Sequence, residues 1–196
     1  MYYSFVLVAL QVYRADAGKY ICHNKYYGRR LTPEGIQQTL YEFLHNGFLL
    51  RSELIQPIID RLRQLMQMLT KQNTFRFYSS SLLIIYDGSD WNRAASSSAP
   101  VKDRDSACAR SYRKPSAESA GCTSDASEAS EPAPAKIDVR MIDFAHATHQ
   151  GFLQDKTTHV GPDHGYIFGL QNLIHMFEDL KRNAESLQPT VLLSVH

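Results

Sequence analysis

The residue best suited to chemistry in this sequence is Asp143, which directly follows the strand-like run Val139–Ile142 and precedes Phe144. A carboxylate at the end of a rigid strand is well placed to hold Mg²⁺, a hard cation that takes oxygen ligands and bridges nucleotide phosphates in phosphoryl transfer. An aspartate at this point also commonly caps a turn, and the pattern by itself leaves that alternative open. His146 is either an ordinary loop histidine or a hydrogen-bond donor to a phosphate or hydroxyl group of a substrate.

Two further groups of residues carry possible ligands for a metal or for phosphate. Ser79, Ser80 and Ser81 precede a second apolar run. Such hydroxyls can face a metal–phosphate site, but they are more often turn residues. Lys25 and Arg29 belong to a basic, tyrosine-containing segment that we predict to be a loop. Lysine and arginine pair well with phosphate groups, and the alternative is a solvated loop with no ligand.

Three helices are predicted around these residues. Thr32 is a suitable cap and Pro33 a suitable first residue for a helix that Asn46-Gly47 ends. An apolar stripe predicts a second helix over about Ser52–Lys71, with Pro57 making its first turn irregular. The third runs from Gly165 to about Glu185, and Asp163 is its predicted cap.

The strands are predicted from changes in hydrophobic period. A hairpin joins Ser4–Tyr13 to Lys19–Cys22 through a turn at Asp16-Ala17-Gly18. The run Leu82–Tyr86 indicates a strand buried on both sides, and Ile137–Phe144 is its expected antiparallel partner. Residues 149–162 are predicted to form a loop.

The segment from Ser89 to Lys136 differs in composition from the rest of the chain. It is rich in Ser, Ala, Pro and mixed charge, and it has too few apolar residues to offset the entropy of ordering. We predict a disordered insert at 89–136, within a single α+β domain formed by 1–88 and 137–196. The domain is an antiparallel sheet packed with helices, and its roughly 150 residues suffice for a core.

Composition excludes several classes of function. The formal net charge of +1 over 196 residues argues against non-specific nucleic-acid binding. The apolar start, Met1–Leu10, is too short to span a bilayer. The three cysteines show neither a disulfide framework nor zinc-ligand spacing, which favours a reducing compartment, here the cytoplasm or the nucleus.

Several ordered motifs give this chain a family resemblance. In sequence order they are Asn24-Lys25-Tyr26-Tyr27-Gly28-Arg29, His45-Asn46-Gly47, Arg76-Phe77-Tyr78-Ser79-Ser80-Ser81-Leu82-Leu83, Met141-Ile142-Asp143-Phe144-Ala145-His146, Gly161-Pro162-Asp163 and Gly165-Tyr166-Ile167-Phe168-Gly169-Leu170. Together they resemble the C-terminal half of the inositol polyphosphate kinases, and most resemble the inositol hexakisphosphate kinases.

The resemblance implies a bilobal, protein-kinase-like fold that binds ATP between its lobes and makes inositol pyrophosphates. Asp143 would be the Mg²⁺ ligand, with Ser80 beside the metal and Ser81 near the ATP. His146, Lys25 and Arg29 would contact the inositol polyphosphate. A serine-rich insert is usual in this subfamily, and here it is a possible site for protein partners.

The chain also departs from the family. The motif Pro-x-x-x-Asp-x-Lys-x-Gly and the N-terminal lobe are missing, so no catalytic residue is identified, and we expect little or no kinase activity from this chain alone. The alternative is a non-catalytic module that binds inositol phosphates or proteins. A protein kinase lobe is disfavoured, because Ala145 follows Asp143-Phe144 where glycine is expected and no His-Arg-Asp loop is present.

Overall fold

Residues 5–88, 136–152 and 157–186 are described by the structure, a computed structural model of the chain. The predicted insert therefore lies outside the described residues, except for Lys136, and so do Met1–Ser4. Cys22 is exposed and free, whereas Cys108 and Cys122 fall within the insert. No helix in the described ranges is long and apolar enough to cross a membrane.

The predicted helices form close to their predicted bounds. Helix α2 spans Pro33–Leu44, where the Thr32 hydroxyl accepts a hydrogen bond from the Gly35 backbone N–H at 3.2 Å. A 3₁₀ turn at Ser52–Leu54 leads into α3, which spans Ile55–Thr70, in agreement with the expected irregular start. The last helix, α4, spans His164–Ser186. A four-residue helix, α1, occupies Lys25–Gly28.

The core lies among α2, α3 and α4. Side chains that face one another across these helices are almost fully buried: Leu44, Ile58, Leu62 and Phe177 are each 0% exposed. Polar contacts tie the same helices at their rims, among them Arg63 to Glu178 at 2.6 Å and Lys181 to Gln56 at 2.9 Å. Burial of apolar surface contributes roughly 25 cal/mol of stability per Å². The packing of the apolar stripes against one another therefore holds the three helices together.

Six strands form three antiparallel pairs. They are β1 (Leu10–Arg14) with β2 (Lys19–His23), β3 (Arg76–Tyr78) with β6 (His146–Thr148), and β4 (Ser81–Tyr86) with β5 (Ile137–Ile142). The α+β architecture, the first hairpin and the antiparallel pairing of β4 with β5 were predicted correctly.

Three strand-level predictions need correction, and one strand pair was not predicted. The first strand begins at Leu10 rather than at Ser4, because residues 5–9 find no strand partner. The predicted strand Ile137–Phe144 ends at Ile142, and the short pair β3–β6 follows it, which the sequence did not reveal. Burial of β4 on both sides is wrong as well. Leu83 is 37% exposed and Ile85 is 50% exposed, because they point away from the core, against which the alternate residues Leu82, Ile84 and Tyr86 pack.

Candidate functional site

The pairs β4–β5 and β3–β6 follow one another along a single two-stranded ribbon that is interrupted by one extra residue. Ser81 pairs with Ile142 at the end of the first ladder, and Tyr78 pairs with His146 at the start of the second. On one strand the two residues 79–80 separate the paired positions, and on the other strand the three residues 143–145 separate them. Such a mismatch is a β-bulge, which bends the strand and redirects side chains. We call residues 79–80 and 143–145 the ribbon bulge.

Asp143 lies at the bulge with an unusual backbone. Its φ is +62°, and Ser79 on the facing strand has φ +57°. Aspartate tolerates this left-handed region better than most residues, yet the conformation persists only where the surrounding structure imposes it, which is frequent at active sites. The Asp143 side chain is exposed and forms no hydrogen bond or ion pair with another described residue. Its carboxylate is therefore available to a ligand.

Ser80 contributes a second oxygen at the same bulge. Its Oγ is buried and has no hydrogen-bond partner among the described residues. An unpaired buried hydroxyl costs roughly 1–3 kcal/mol, so a missing acceptor or metal ion is the natural explanation. A carboxylate and a hydroxyl suit Mg²⁺, which usually takes few protein ligands and completes its shell with water and phosphate oxygens. The described residues contain no group of three or more His, Cys, Asp or Glu side chains that would cage a metal by themselves.

Ser81 and His146 flank the bulge. Ser81 is the first residue of β4 and His146 the first of β6, and each is paired to the opposite strand beside the interruption. His146 is exposed. Four of the predicted site residues, far apart in sequence, are thus brought together at one end of the β4–β5 ladder: Ser80, Ser81, Asp143 and His146.

Lys25 and Arg29 lie on a different element, and the predicted loop there is a helix. Asn24 caps α1, because its side-chain oxygen accepts hydrogen bonds from the backbone N–H groups of Tyr26 at 3.1 Å and Tyr27 at 3.2 Å. The prediction failed because this cap was not recognised. The basic side chains of Lys25 and Arg29 are exposed and form no hydrogen bond with a described residue, which leaves them free to bind an anion.

Tyr27 attaches α1 to its neighbours. Its ring stacks on His23 with 3.8 Å between ring centroids, and its hydroxyl lies 3.2 Å from the Thr39 hydroxyl on α2. The segment that carries Lys25 and Arg29 is therefore attached to the β1–β2 hairpin and to α2, not to the ribbon. The structure brings Lys25 and Arg29 together with each other, and it assigns them no contact with the bulge.

Asp163 holds the ribbon against α4. One carboxylate oxygen accepts a hydrogen bond from the Tyr166 backbone N–H at 3.0 Å, which confirms the predicted helix cap. The other accepts from the Phe77 backbone N–H at 2.9 Å, a role that the sequence did not reveal. Because Phe77 lies two residues before Ser79, this carboxylate fixes the strand that enters the bulge.

Arg76 supports the same strand from the other side and was also missed. Its guanidinium donates to the carbonyl oxygens of Gly161 at 2.9 Å and Val160 at 3.1 Å. The only signal in the sequence was its place in the motif Arg76-Phe77-Tyr78. These bonds tie the loop before α4 to β3, so that the loop and the bulge form one supported unit.

Tyr166 packs behind β3. Burial, followed by the charge of Asp163, raises the pKa of Tyr166 to about 12, so its phenol stays protonated at neutral pH. Its hydroxyl is buried and has no hydrogen-bond partner among the described residues, and its ring lies 6.0 Å from that of Phe77. Tyr166 is thus a neutral donor beneath the strand that leads into the bulge.

Comparison with known proteins shows what this arrangement resembles. The family model for inositol polyphosphate kinase matches residues 2–178. Inositol hexakisphosphate kinase 1 of Mus musculus is 47% identical over 172 residues, which are 88% of this chain and 39% of that protein. Inositol hexakisphosphate kinase 3 of Homo sapiens is 44% identical over 176 residues, 89% of this chain and 38% of that protein. The chain thus spans about two fifths of the length of the curated relatives it matches.

Solved structures agree on the fold. An inositol phosphate multikinase structure aligns with a TM-score of 0.55 and 16% identity, over 87% of this chain and 59% of that one. The multikinase of S. cerevisiae, in complex with ADP and Mn²⁺, aligns with a TM-score of 0.53 and 21% identity, over 87% of this chain and 55% of that one. With the family model matched over most of its length, the chain belongs to the inositol polyphosphate kinase family.

Proposed function

We propose that the ribbon bulge is the metal and nucleotide half-site of an inositol phosphate kinase, which transfers the γ-phosphoryl group of ATP to inositol hexakisphosphate or a related inositol polyphosphate. The observation that carries this proposal is the presence, at one bulge, of an unpartnered carboxylate, Asp143, and an unpartnered buried hydroxyl, Ser80. Support comes from the relatives, which are named as kinases of this substrate class, and from a multikinase structure that contains ADP and Mn²⁺.

Each site residue has a proposed role. Asp143 and Ser80 would hold Mg²⁺, which would neutralise the charge of the ATP phosphates. Ser81 lies beside the nucleotide phosphates. His146 donates a hydrogen bond to the inositol polyphosphate, and Lys25 and Arg29 pair with its outer phosphate groups. The product with inositol hexakisphosphate is an inositol pyrophosphate, because every ring hydroxyl of that substrate already carries a phosphate.

This chain by itself is proposed to bind more effectively than it catalyses. The motif Pro-x-x-x-Asp-x-Lys-x-Gly is not found in its sequence. Phosphoryl transfer depends on positioning and electrostatic stabilisation, so the residues of the ribbon bulge acting without that motif would lose most of the rate. The second candidate is therefore a non-catalytic module that binds inositol phosphates or protein partners. The exposed side chains of Lys25 and Arg29, which form no hydrogen bond or ion pair with a described residue, favour it.

Calorimetry of Mg-ATP binding separates these functions. We expect Asp143→Asn to weaken binding by about tenfold or more, since removing one charged metal ligand costs at least about 1.4 kcal/mol. Asp138→Asn is the matched control, because Asp138 lies on β5, five residues before Asp143, and is paired with Arg140 at 2.6 Å. Equal affinity of the Asp143 and Asp138 variants would refute the metal site.

The inositol phosphate side is tested with inositol hexakisphosphate as the titrant. Lys25→Gln and Arg29→Gln should each weaken binding several-fold, whereas Lys71→Gln, at the far end of α3, should not. Binding of inositol hexakisphosphate without any binding of Mg-ATP would favour the non-catalytic module. If none of these variants weakens the binding of Mg-ATP or of inositol hexakisphosphate, the proposal is refuted.

A further inference from the structure

The two faces of the β3–β6 pair have different surroundings. Phe77 is partly buried and packs against the core. Side chains alternate between the faces of a strand, so its neighbour Tyr78 points away from the core. Tyr78 pairs directly with His146, and directly paired residues of antiparallel strands lie on the same face. We call this side, which carries both Tyr78 and His146, the outer face of the β3–β6 pair.

The loop before α4 covers one end of the outer face. Arg76 lies on this face, two residues before Tyr78, and its guanidinium donates a hydrogen bond to the Gly161 carbonyl oxygen at 2.9 Å. Thr148, which pairs with Arg76, is only 8% exposed. The loop therefore lies over the end of the outer face that is farther from the ribbon bulge.

His159, in the same loop, contacts Tyr78. The centroids of the two rings are 6.2 Å apart and their planes are inclined at 65°, which is an edge-to-face arrangement. Such a contact restricts the rotation of a tyrosine side chain, so less conformational entropy is lost when the side chain meets a ligand. The Tyr78 ring is therefore held on one side by the loop.

The other side of Tyr78 is open. Tyr78 is 52% exposed, and its hydroxyl forms no hydrogen bond with another described residue. His146, directly opposite, is exposed as well. The Cβ atoms of such paired residues lie about 4.5–5.5 Å apart, and residues 79–80 of the ribbon bulge follow Tyr78 in the chain. A phenol donor without a partner among the described residues thus lies next to the proposed substrate contact.

We propose that Tyr78 is a further substrate-binding residue, whose hydroxyl donates a hydrogen bond to a phosphate group of the inositol polyphosphate, and that His159 positions its ring. The inference rests on the proposed function, because it places Tyr78 beside His146 at the same substrate. Phosphate oxygens are charged acceptors, which form stronger hydrogen bonds than neutral acceptors do. Donors from β3 and β6 then hold the substrate together, next to the proposed metal ligands at the bulge.

Calorimetry with inositol hexakisphosphate tests the Tyr78 contact. Tyr78→Phe keeps the ring and removes only the hydroxyl, and we expect about tenfold weaker binding. Tyr20→Phe is the matched control and should bind unchanged. Tyr20 is also an exposed strand tyrosine with an edge-to-face neighbour, Tyr13 at 5.1 Å, but it lies on the β1–β2 hairpin. Mg-ATP binding and the urea unfolding midpoint of Tyr78→Phe should not change, because the lost hydroxyl has no partner among the described residues.

A double-mutant cycle tests the role of His159. His159→Ala removes the ring contact and should weaken the binding of inositol hexakisphosphate about threefold. His159→Phe keeps an aromatic ring against Tyr78 and should bind like the unaltered chain. In the Tyr78→Phe background His159→Ala should have no further effect, because the orientation of the ring matters only while the hydroxyl is present.

Each other outcome overturns the inference. If Tyr78→Phe and Tyr20→Phe bind inositol hexakisphosphate equally well while Lys25→Gln weakens binding, the proposed substrate site stands without Tyr78. If Tyr78→Phe weakens Mg-ATP binding to the same extent, Tyr78 contacts the nucleotide instead. An undiminished effect of His159→Ala in the Tyr78→Phe background would show that His159 does not act through Tyr78. If the unaltered chain binds no inositol hexakisphosphate at millimolar concentration, the inference and the substrate side of the proposed function fail together.

Discussion

Substitution of Asp163 by alanine should separate the ribbon from α4. The Asp163 carboxylate accepts hydrogen bonds from the backbone N–H groups of Tyr166 at 3.0 Å and Phe77 at 2.9 Å. Loss of a helix cap costs about 1 kcal/mol. The second bond goes to a charged acceptor in a half-buried position and contributes about 1.5–3 kcal/mol. We therefore expect Asp163→Ala to lower the free energy of unfolding by about 2–4 kcal/mol, a large part of the stability of a domain this size.

The asparagine variant refines this prediction. Its single amide oxygen can accept one of the two bonds, and its NH₂ group then faces the other N–H. Asp163→Asn should therefore cost less than Asp163→Ala but more than the loss of a cap alone. Equilibrium unfolding in urea measures both values, provided that the unfolding slope is the same for all variants.

An exposed acid supplies the control for Asp163. Asp60 lies on α3 with 54% of its side chain exposed and is 3.9 Å from Arg63, so Asp60→Ala should change stability by less than about 0.5 kcal/mol. Faster amide exchange in β3 and β6 should accompany Asp163→Ala only. If the Asp163 and Asp60 variants prove equally stable, the carboxylate does not hold the ribbon and the reasoning fails.

Two further predictions concern packing and pH. Gly28→Ala should destabilise the domain by about 1–3 kcal/mol, because a Cβ there would lie 1.8 Å from the Leu7 carbonyl oxygen. Gly88→Ala is the control in the same urea assay. A Cβ at Gly88 would have nothing within 4 Å, so this variant should be neutral or stabilising by up to about 1 kcal/mol. Burial lowers the pKa of His45 below its ordinary value of 6.5, and its Nδ1 accepts a hydrogen bond from the Gly47 backbone N–H at 3.1 Å. The stability that neutral His45 contributes is therefore fully present at pH values above the ordinary pKa of 6.5, and it is lost as the pH falls through the lowered pKa. His45→Asn should flatten this dependence, and an unchanged pH profile would contradict it.

The sequence was sufficient for elements whose determinants are local. Thr32 and Pro33 specify the start of α2 through groups within three residues, and the apolar stripes of α3 and α4 repeat at the helical period. The motif Met141-Ile142-Asp143 likewise predicted an acid at a strand end, and Asp143 directly follows β5. Each of these signals is contained in one short segment, so no knowledge of distant partners was needed.

The ribbon bulge was not predictable in the same way, because it is a property of two strands. Nothing in residues 143–145 reveals an extra residue until their count is compared with that of residues 79–80 on the facing strand. The short pair β3–β6 was missed for the same reason. The exposure of Leu83 and Ile85 depends on the β4–β5 pair being covered by the core on one face only, and that too is set by the assembled fold.

The bulge explains how one strand presents both Asp143 and His146. Ile142 and His146, four residues apart, pair with Ser81 and Tyr78, which are three residues apart. The extra residue lies between them together with Asp143, whose left-handed backbone takes it out of the regular strand pattern. The proposed metal ligand and the proposed substrate contact therefore lie within the same irregular stretch of chain. Irregularities of this kind are frequent next to active sites, which supports the proposal that a nucleotide and a phosphate acceptor meet at the bulge.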